Sequence, residues 1–293
     1  MHIPLSPYLL LVLTTLFWAG NFVLGRAVHA SIPPVSLVFW RWAGALLILL
    51  PFTWRHVRDQ WPLLRHNWKA LTMFAFLGVF CFNTFVYIAL QSTTATNAIL
   101  LNSIIPIAIV ALSRLFGGTR VTQLQAVGMA ISFAGVITII SRADLDLLLA
   151  LRVNRGDLWV LLAVACWALY TFLLRQRPAG LHPLSFLTSI VALGLLGLAP
   201  LYAWELGQGL HMAPGPATWA SLLYVAFFPS VLAFIFWNQA VGQVGANRAG
   251  LFLHLMPVFG TLLSIMFLGE SLHLFQVTGI GLIFSGIWLT TRA

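Results

Sequence analysis

The chain reads as an all-α integral membrane protein of ten transmembrane helices, arranged as two inverted five-helix repeats. Three observations lead there. Of 293 residues, 60% are hydrophobic and only 7% charged, against roughly 25% charged in a soluble domain. Uncharged runs long enough to cross a bilayer recur along the whole chain, and the second half repeats the first in register. The 15 Lys+Arg and 6 Asp+Glu residues cannot coat a water-facing surface of this size. That excludes a soluble enzyme, a DNA-binding protein and a disordered chain.

A span needs about 20 mostly apolar residues to cross a core of about 30 Å. Pro7–Val28 and Pro34–Trp54 supply the first two. Ala70 to Ser113 is 44 residues without a charge, enough for the third and fourth, with Gln91-Ser92-Thr93-Thr94 as the turn between them. Val121–Ser141, Gly156–Leu174 and Pro183–Ala203 are the fifth to seventh. Leu206 to Asn247 holds a Gly/Pro-rich loop, Gly207 to Pro216, and then the eighth. Ala249–Gly269 and Ser271–Thr291, 21 residues each, are the ninth and tenth. The runs are continuously apolar, whereas barrel strands alternate over about ten residues. Met1 to Pro7 lacks the basic start of a signal peptide, so the first run is expected to remain as a span.

With the N-terminus in the cytoplasm, the inward segments carry Arg55, Arg58, Arg65, Lys69, Arg114, Arg120, Arg175, Arg177, Arg248 and Arg292. The outward segments carry Arg26, Arg142, Arg152 and Arg155, the last two beside Asp157. Ten against four predicts both termini inside, so the net charge of +9 reflects topology and no nucleic-acid partner. Trp54, Trp61 and Trp68 beside the basic second loop read as an interfacial belt facing lipid. Cys81 and Cys166 fall inside apolar helices and are assigned to packing. No metal and no cofactor is expected.

At an offset of 149, Trp18-Ala19 falls on Trp167-Ala168, Arg26 on Arg175, Pro34 on Pro183, Ser36 on Ser185 and Pro51 on Pro200. At 151, Phe85 meets Phe236, Ala89 Ala240, Pro106 Pro257 and Gly118 Gly269. Gln125, Gly128, Phe133 and Gly135 likewise fall on Gln276, Gly279, Phe284 and Gly286. The units are residues 1–142 and 155–293. Because each has an odd number of spans, the second enters from the opposite side. Inverted repeats are an architecture of secondary transporters, with substrate held near the midplane between the halves.

Phe17-Trp18-Ala19-Gly20-Asn21-Phe22 resembles the W-G-x-x-F signature of the drug/metabolite transporter superfamily, EamA-type branch. Phe39-Trp40-Arg41 resembles that family's second-helix arginine motif. Leu268-Gly269-Glu270, followed by Gln276, Gly279 and Gly286, is similar to its second-repeat ending. One departure stands out: the first half has Gly118-Thr119 where the family usually has Gly-Glu. Within the family, the resemblance implies a bacterial inner-membrane exporter of small neutral metabolites such as amino acids, aromatic or hydrophobic ones included.

Polar groups within spans are costly and usually face the bundle interior or a watery cavity. They nominate Trp18, Asn21, Asn83, Tyr87, Asn97, Asn102, Trp167, Tyr170, Trp237, Asn238 and His254 as substrate-binding residues. Amides would hold the ends of a zwitterion, and aromatic faces an apolar side chain. For each Asn the competing role is interhelical glue, and for each Trp it is packing. His254 is the candidate titrating group, or else a hydrogen-bonded neutral histidine. Arg41, seven residues into its helix, either snorkels outward or pairs with helix-end carbonyls that move in gating. Glu270 and the group Asp144, Asp146 and Asp157 read as solvated charges near the outer surface.

Pro106 and Pro257 in mid-span each remove a backbone hydrogen bond and kink their helix. Gly78 and Pro229 occupy matching positions, so hinges are expected there too. Spans five and ten, with Ala130/Ala134 and Gly281/Ser285, read as tightly packed supports. Lys69 follows no glycine-rich loop, so no P-loop ATPase is present. With no carboxylate deep in a span, transport is expected to run down a gradient or to couple weakly through His254 or a terminal carboxylate. A nucleotide-sugar or drug carrier is the alternative, the former needing Lys/Arg in a cavity read here as mostly neutral. An intramembrane enzyme would need acidic or metal-binding clusters that are not seen.

Overall fold

The computed structural model describes residues 3–118, 121–144, 154–268 and 271–292. Among them the structure is all helix and turn, with nine helical runs long and apolar enough to cross a membrane. The spans are α1 (Pro7–Ala27), α2 (Pro34–Asp59), α3 (Trp68–Ala89), α4 (Ala95–Asn102 and Ile105–Leu115) and α5 (Gln123–Ile140). The second set is α6 (Arg155–Gln176), α7 (Pro183–Gly207), α8 (Pro216–Val244), α9 and α10 (Leu274–Arg292). The tenth crossing, α9, is broken: Ala246–Leu251 and Leu255–Leu268 are joined through a 3₁₀ turn at Phe252–His254. The α2 helix runs past Trp54 to Asp59, so Arg55 and Arg58 project from a helix, and a short helix, Trp61–His66, completes that connection.

The two halves interleave. The α1 helix packs on α8 and α9, and α6 packs on α3 and α4, the equivalent helices of the other copy. The α2 and α7 helices form one cross-pair, α5 and α10 another. The last pair is built on glycine. A Cβ at Gly135 would sit 2.6 Å from the Gly279 carbonyl, and Gly128 abuts Gly286 in the same way. The support role expected of these helices is observed, but on another face. Ala130, Ala134, Gly281 and Ser285 are exposed, and the seam runs through the seven-residue glycine spacing instead.

The outer surface of the bundle is apolar: Leu47, Phe52, Leu196 and Leu274 are among its exposed side chains. Trp54, Trp61, Trp68 and Trp288 ring one end and Trp204 and Trp219 the other, as interfacial tryptophans do. Lys69 lies over Trp68 and Arg292 over Trp288, placing cations at the same level.

Both halves depart from α-helix at matching places. A π-helical turn covers Ala75–Cys81 in α3 and Ala226–Leu232 in α8, an offset of 151 at each end. The α4 break at Ser103 and Ile104 corresponds to the α9 turn at Phe252–His254. Pro106 therefore lies in the first turn of Ile105–Leu115, where a missing N–H costs little; it marks a helix start instead of kinking an unbroken span. Pro257 follows its break by three residues.

Candidate functional site

Trp18 and Trp167 are repeat-related, and they touch: their rings meet edge-on with centroids 4.9 Å apart. Residues equivalent under a pseudo-two-fold can meet only on or beside its axis, so this contact marks the centre of the molecule. Trp237 and Phe234 complete the layer, with Trp237 5.2 Å from Trp18 and 5.9 Å from Trp167. Tyr170 stacks on Trp167 at 5.0 Å, and its ring occupies the space that a side chain at Gly78 would need. Beyond offering a flexible position, Gly78 makes room for this ring.

Polar bonds repeat around the same axis. Tyr87 donates its hydroxyl hydrogen to Asn21 Oδ1 at 2.6 Å, joining α1 to α3. Tyr170 donates to Asn238 Oδ1 at 2.9 Å, joining α6 to α8. Asn21 is equivalent to Tyr170 and Tyr87 to Asn238, so one bond is conserved between the halves with donor and acceptor exchanged.

Arg41 lies at the centre of the first of these pairs. It is 1% exposed, so it does not snorkel. Its Nε donates to Ser230 Oγ, Nη1 to Asn21 Oδ1 and Tyr87 Oη, and Nη2 to the Pro229 carbonyl at 3.2 Å. Trp18 Nε1 donates to that same carbonyl at 3.1 Å. The expected carbonyl partner is thus present, but it belongs to a π-helical turn and not to a helix end. Burying an arginine at mid-helix costs roughly 2.5–3.5 kcal/mol. Hydrogen bonds to a charged group, about 1.5–3 kcal/mol each, offset that cost.

Two openings flank the aromatic layer. A cavity of about 10 Å³, lined by Trp18, Asn21, Arg41, Asn83, Asn102 and Trp167 together with Phe22, Phe82, Ile105, Leu253 and Met256, lies between the halves. A vestibule of about 610 Å³ opens at the end where the chain begins, bordered by Ser113, Gln125, Arg175, Arg177, Asn238, Asn247 and Arg248. At the opposite end, side-chain hydrogen bonds among the described residues tie the helices together. There Glu205, 2% exposed, accepts from the Val35 and Ser36 backbone amides and the Ser36 hydroxyl, capping α2 from α7. Asp157 accepts from Thr93 Oγ1 at 2.6 Å and caps α6. Arg26 donates to the Leu90 carbonyl at 2.8 Å.

Several expectations are corrected. Asp157 is not a solvated loop charge; it is buried in a capping box, while Asp146 and Glu270 lie outside the described residues. Asn97 lines neither opening: it is half-buried in the first turn of α4, its amide bonded to Thr94. Asn83 borders the cavity, yet its side-chain amide donates to Gly78 and Val79 in its own π turn. His254 faces away from the cavity. The Ser103 carbonyl, 3.0 Å from Nε2, can only accept, so Nε2 bears a proton; Nδ1 meets Ser132 Oγ at 2.8 Å. Nor is the interior free of cations, since Arg41 borders the cavity and three arginines the vestibule. Tyr87, Tyr170 and Trp237 sit behind the lining as its support. Glu205 and Ser230 were missed in the sequence. Glu205 lay beyond the assumed end of its span, and a serine in an apolar run carries no signal until its arginine partner is known.

The EamA-like transporter family model matches residues 5–141 and again residues 154–292. An uncharacterized transporter of Archaeoglobus fulgidus is 30% identical over 286 residues, covering 97% of this chain and 96% of its own. Uncharacterized transporter YyaM of Bacillus subtilis is 28% identical over 287 residues, 97% of this chain and 92% of its own. A probable terminal-alkyne amino-acid exporter of Streptantibioticus cattleyicolor is 28% identical over 198 residues, 68% of this chain and 64% of its own. A crystal structure covering 98% of this chain and 96% of its own has a TM-score of 0.78 at 17% identity, a likeness of fold.

Proposed function

The chain belongs to the EamA-like transporter family and is a multi-pass membrane transporter, not an enzyme; we propose that it exports amino acids, aromatic and hydrophobic ones included, across the bacterial inner membrane by alternating access. The observation that carries this reading is the aromatic and amide cluster on the pseudo-two-fold, whose Asn238 borders the vestibule at one end. Residues 1–142 and 155–293 act as the two exchanging halves. Both termini are cytoplasmic, which makes the described state inward-facing. The side chain of the substrate rests on Trp18 and Trp167, with Tyr170 stacked behind Trp167, as aromatic faces suit apolar groups. The named amino-acid exporter among the relatives supports the substrate class.

No carboxylate faces the cavity among its lining residues, and both His254 nitrogens are engaged elsewhere. Transport then follows the substrate gradient, and a proton ionophore leaves the rate unchanged. The vestibule arginines favour one second reading, a phosphate-bearing metabolite such as a nucleotide sugar. Counterflow in proteoliposomes separates the two. The twenty amino acids and a set of sugar nucleotides are offered, and exchange confined to amino acids supports the proposal. Exchange confined to sugar nucleotides overturns it. Reporter fusions placing the two termini on opposite sides of the bilayer contradict the inverted pairing.

A further inference from the structure

Three buried polar groups of different character border the central cavity: Arg41, Trp167 and Asn102, respectively 1%, 1% and 3% exposed. Arg41 is a cation whose partners, Asn21, Tyr87, Ser230 and the Pro229 carbonyl, are all neutral. Among the described residues no carboxylate forms an ion pair with it. Those bonds use four of the five guanidinium N–H groups, leaving one on Nη2. Trp167 Nε1, a donor, and Asn102 Oδ1, an acceptor, have no hydrogen-bond partner. Buried polar groups are almost always satisfied, and those that are not call for an explanation.

Resting on the amino-acid reading above, we infer that these three groups are the head-group site. The α-carboxylate docks on the Arg41 guanidinium and the Trp167 indole N–H, and the α-ammonium donates to Asn102 Oδ1. A neutral solute would leave the arginine charge uncompensated, and an organic cation would be repelled by it. A phosphodiester would satisfy the two donors but carries no hydrogen for the amide oxygen. The cavity, at about 10 Å³, holds at most one water. The head group therefore enters only when the Trp18–Trp167–Trp237 layer parts from the vestibule side. Arg41 then exchanges part of its bonding to Ser230 and Pro229 for the carboxylate, which couples substrate arrival to the π-helical turn of α8.

The test is a thermal-shift titration of purified protein with the twenty amino acids. It is extended with the amide, the decarboxylated amine and the deaminated acid of L-phenylalanine and L-leucine. The parent amino acids are expected to stabilise, and each modified form to need roughly 10- to 150-fold more ligand, the range of one charge-assisted hydrogen bond. Arg41→Gln should abolish the discrimination against amides, and Asn102→Leu only that against deaminated acids. Amides or amines that bind as well as the parents overturn the head-group site while leaving amino-acid export standing. No response to any amino acid overturns both. Should Arg41→Gln fail to fold, the analogue series on the wild-type protein decides alone.

Discussion

A single Tyr ring ties the aromatic layer to the polar framework. Tyr170 bonds Asn238, stacks on Trp167 and fills the niche over Gly78, where an added Cβ would lie 2.7 Å from the ring. Gly78→Ala should therefore displace the ring at a cost of about 1–3 kcal/mol, the usual penalty for overpacking. Melting temperature and counterflow should both fall, and Tyr170→Leu in the same chain should restore part of the stability, since neighbouring substitutions couple. Additive losses would contradict the contact. A second residue-level test lies outside the membrane, at the start of α7. The Leu184 amide can only donate, so His182 Nδ1 accepts from it and must be unprotonated. Burial, helped by the nearby His56 ring, holds His182 below its ordinary value. A base with a lowered folded pKa contributes fully above its unfolded value, about 6.5, and loses that contribution as pH falls through the folded value. Amide protection at residues 184–186, corrected for intrinsic exchange, should thus drop below pH 6. His182→Asn should retain the cap without the acid loss.

Among whole helices, irregularity is the property that repeats. Pro106 and Pro257 could be read as matching positions, and so could Gly78 and Pro229; that the latter pair lies in π-helical turns could not, because glycine and proline mark irregularity without showing its form. A π turn leaves carbonyls turned off the regular ladder, and the Pro229 carbonyl accepts from both Trp18 and Arg41. Pro229→Ala restores an N–H and favours a regular helix, so counterflow should fall while folding is kept; Pro257→Ala should do the same through α9. Wild-type rates in both would remove the hinges. The α5–α10 seam predicts the opposite phenotype. Gly286→Val drives a side chain into the Gly128 backbone and Ser132, so melting temperature should drop with any surviving activity unaltered in substrate preference. The sequence identified this pair as supports but put the seam on the wrong face, since small residues occur on both faces of α5 and α10 and only backbone approach selects the glycines.

At the level of the whole molecule, the count of spans, the two copies and the transporter class were legible in the sequence because lipid imposes long uncharged runs and an odd repeat imposes inversion. The site was legible in type more than in detail. Trp18, Asn21, Asn102 and Trp167 were singled out because polar and aromatic groups at mid-span are costly, and they share one cavity. For Arg41 and His254 the sequence left two roles open, because depth along a helix does not reveal which way a long side chain turns and because the serine and carbonyl partners of His254 lie on other helices. The interleaved packing that brings Trp18 against Trp167 makes a shared centre with two possible openings. The most direct test pairs spin labels across the vestibule mouth, at Ser113 and Gly245, and across the opposite end, at Ser92 and Gly209. Distances are measured in reconstituted protein with and without a mixture of the twenty amino acids. The predicted result is a vestibule that narrows as the far end widens; two distances that stay fixed, or widen together, would contradict alternating access about one site.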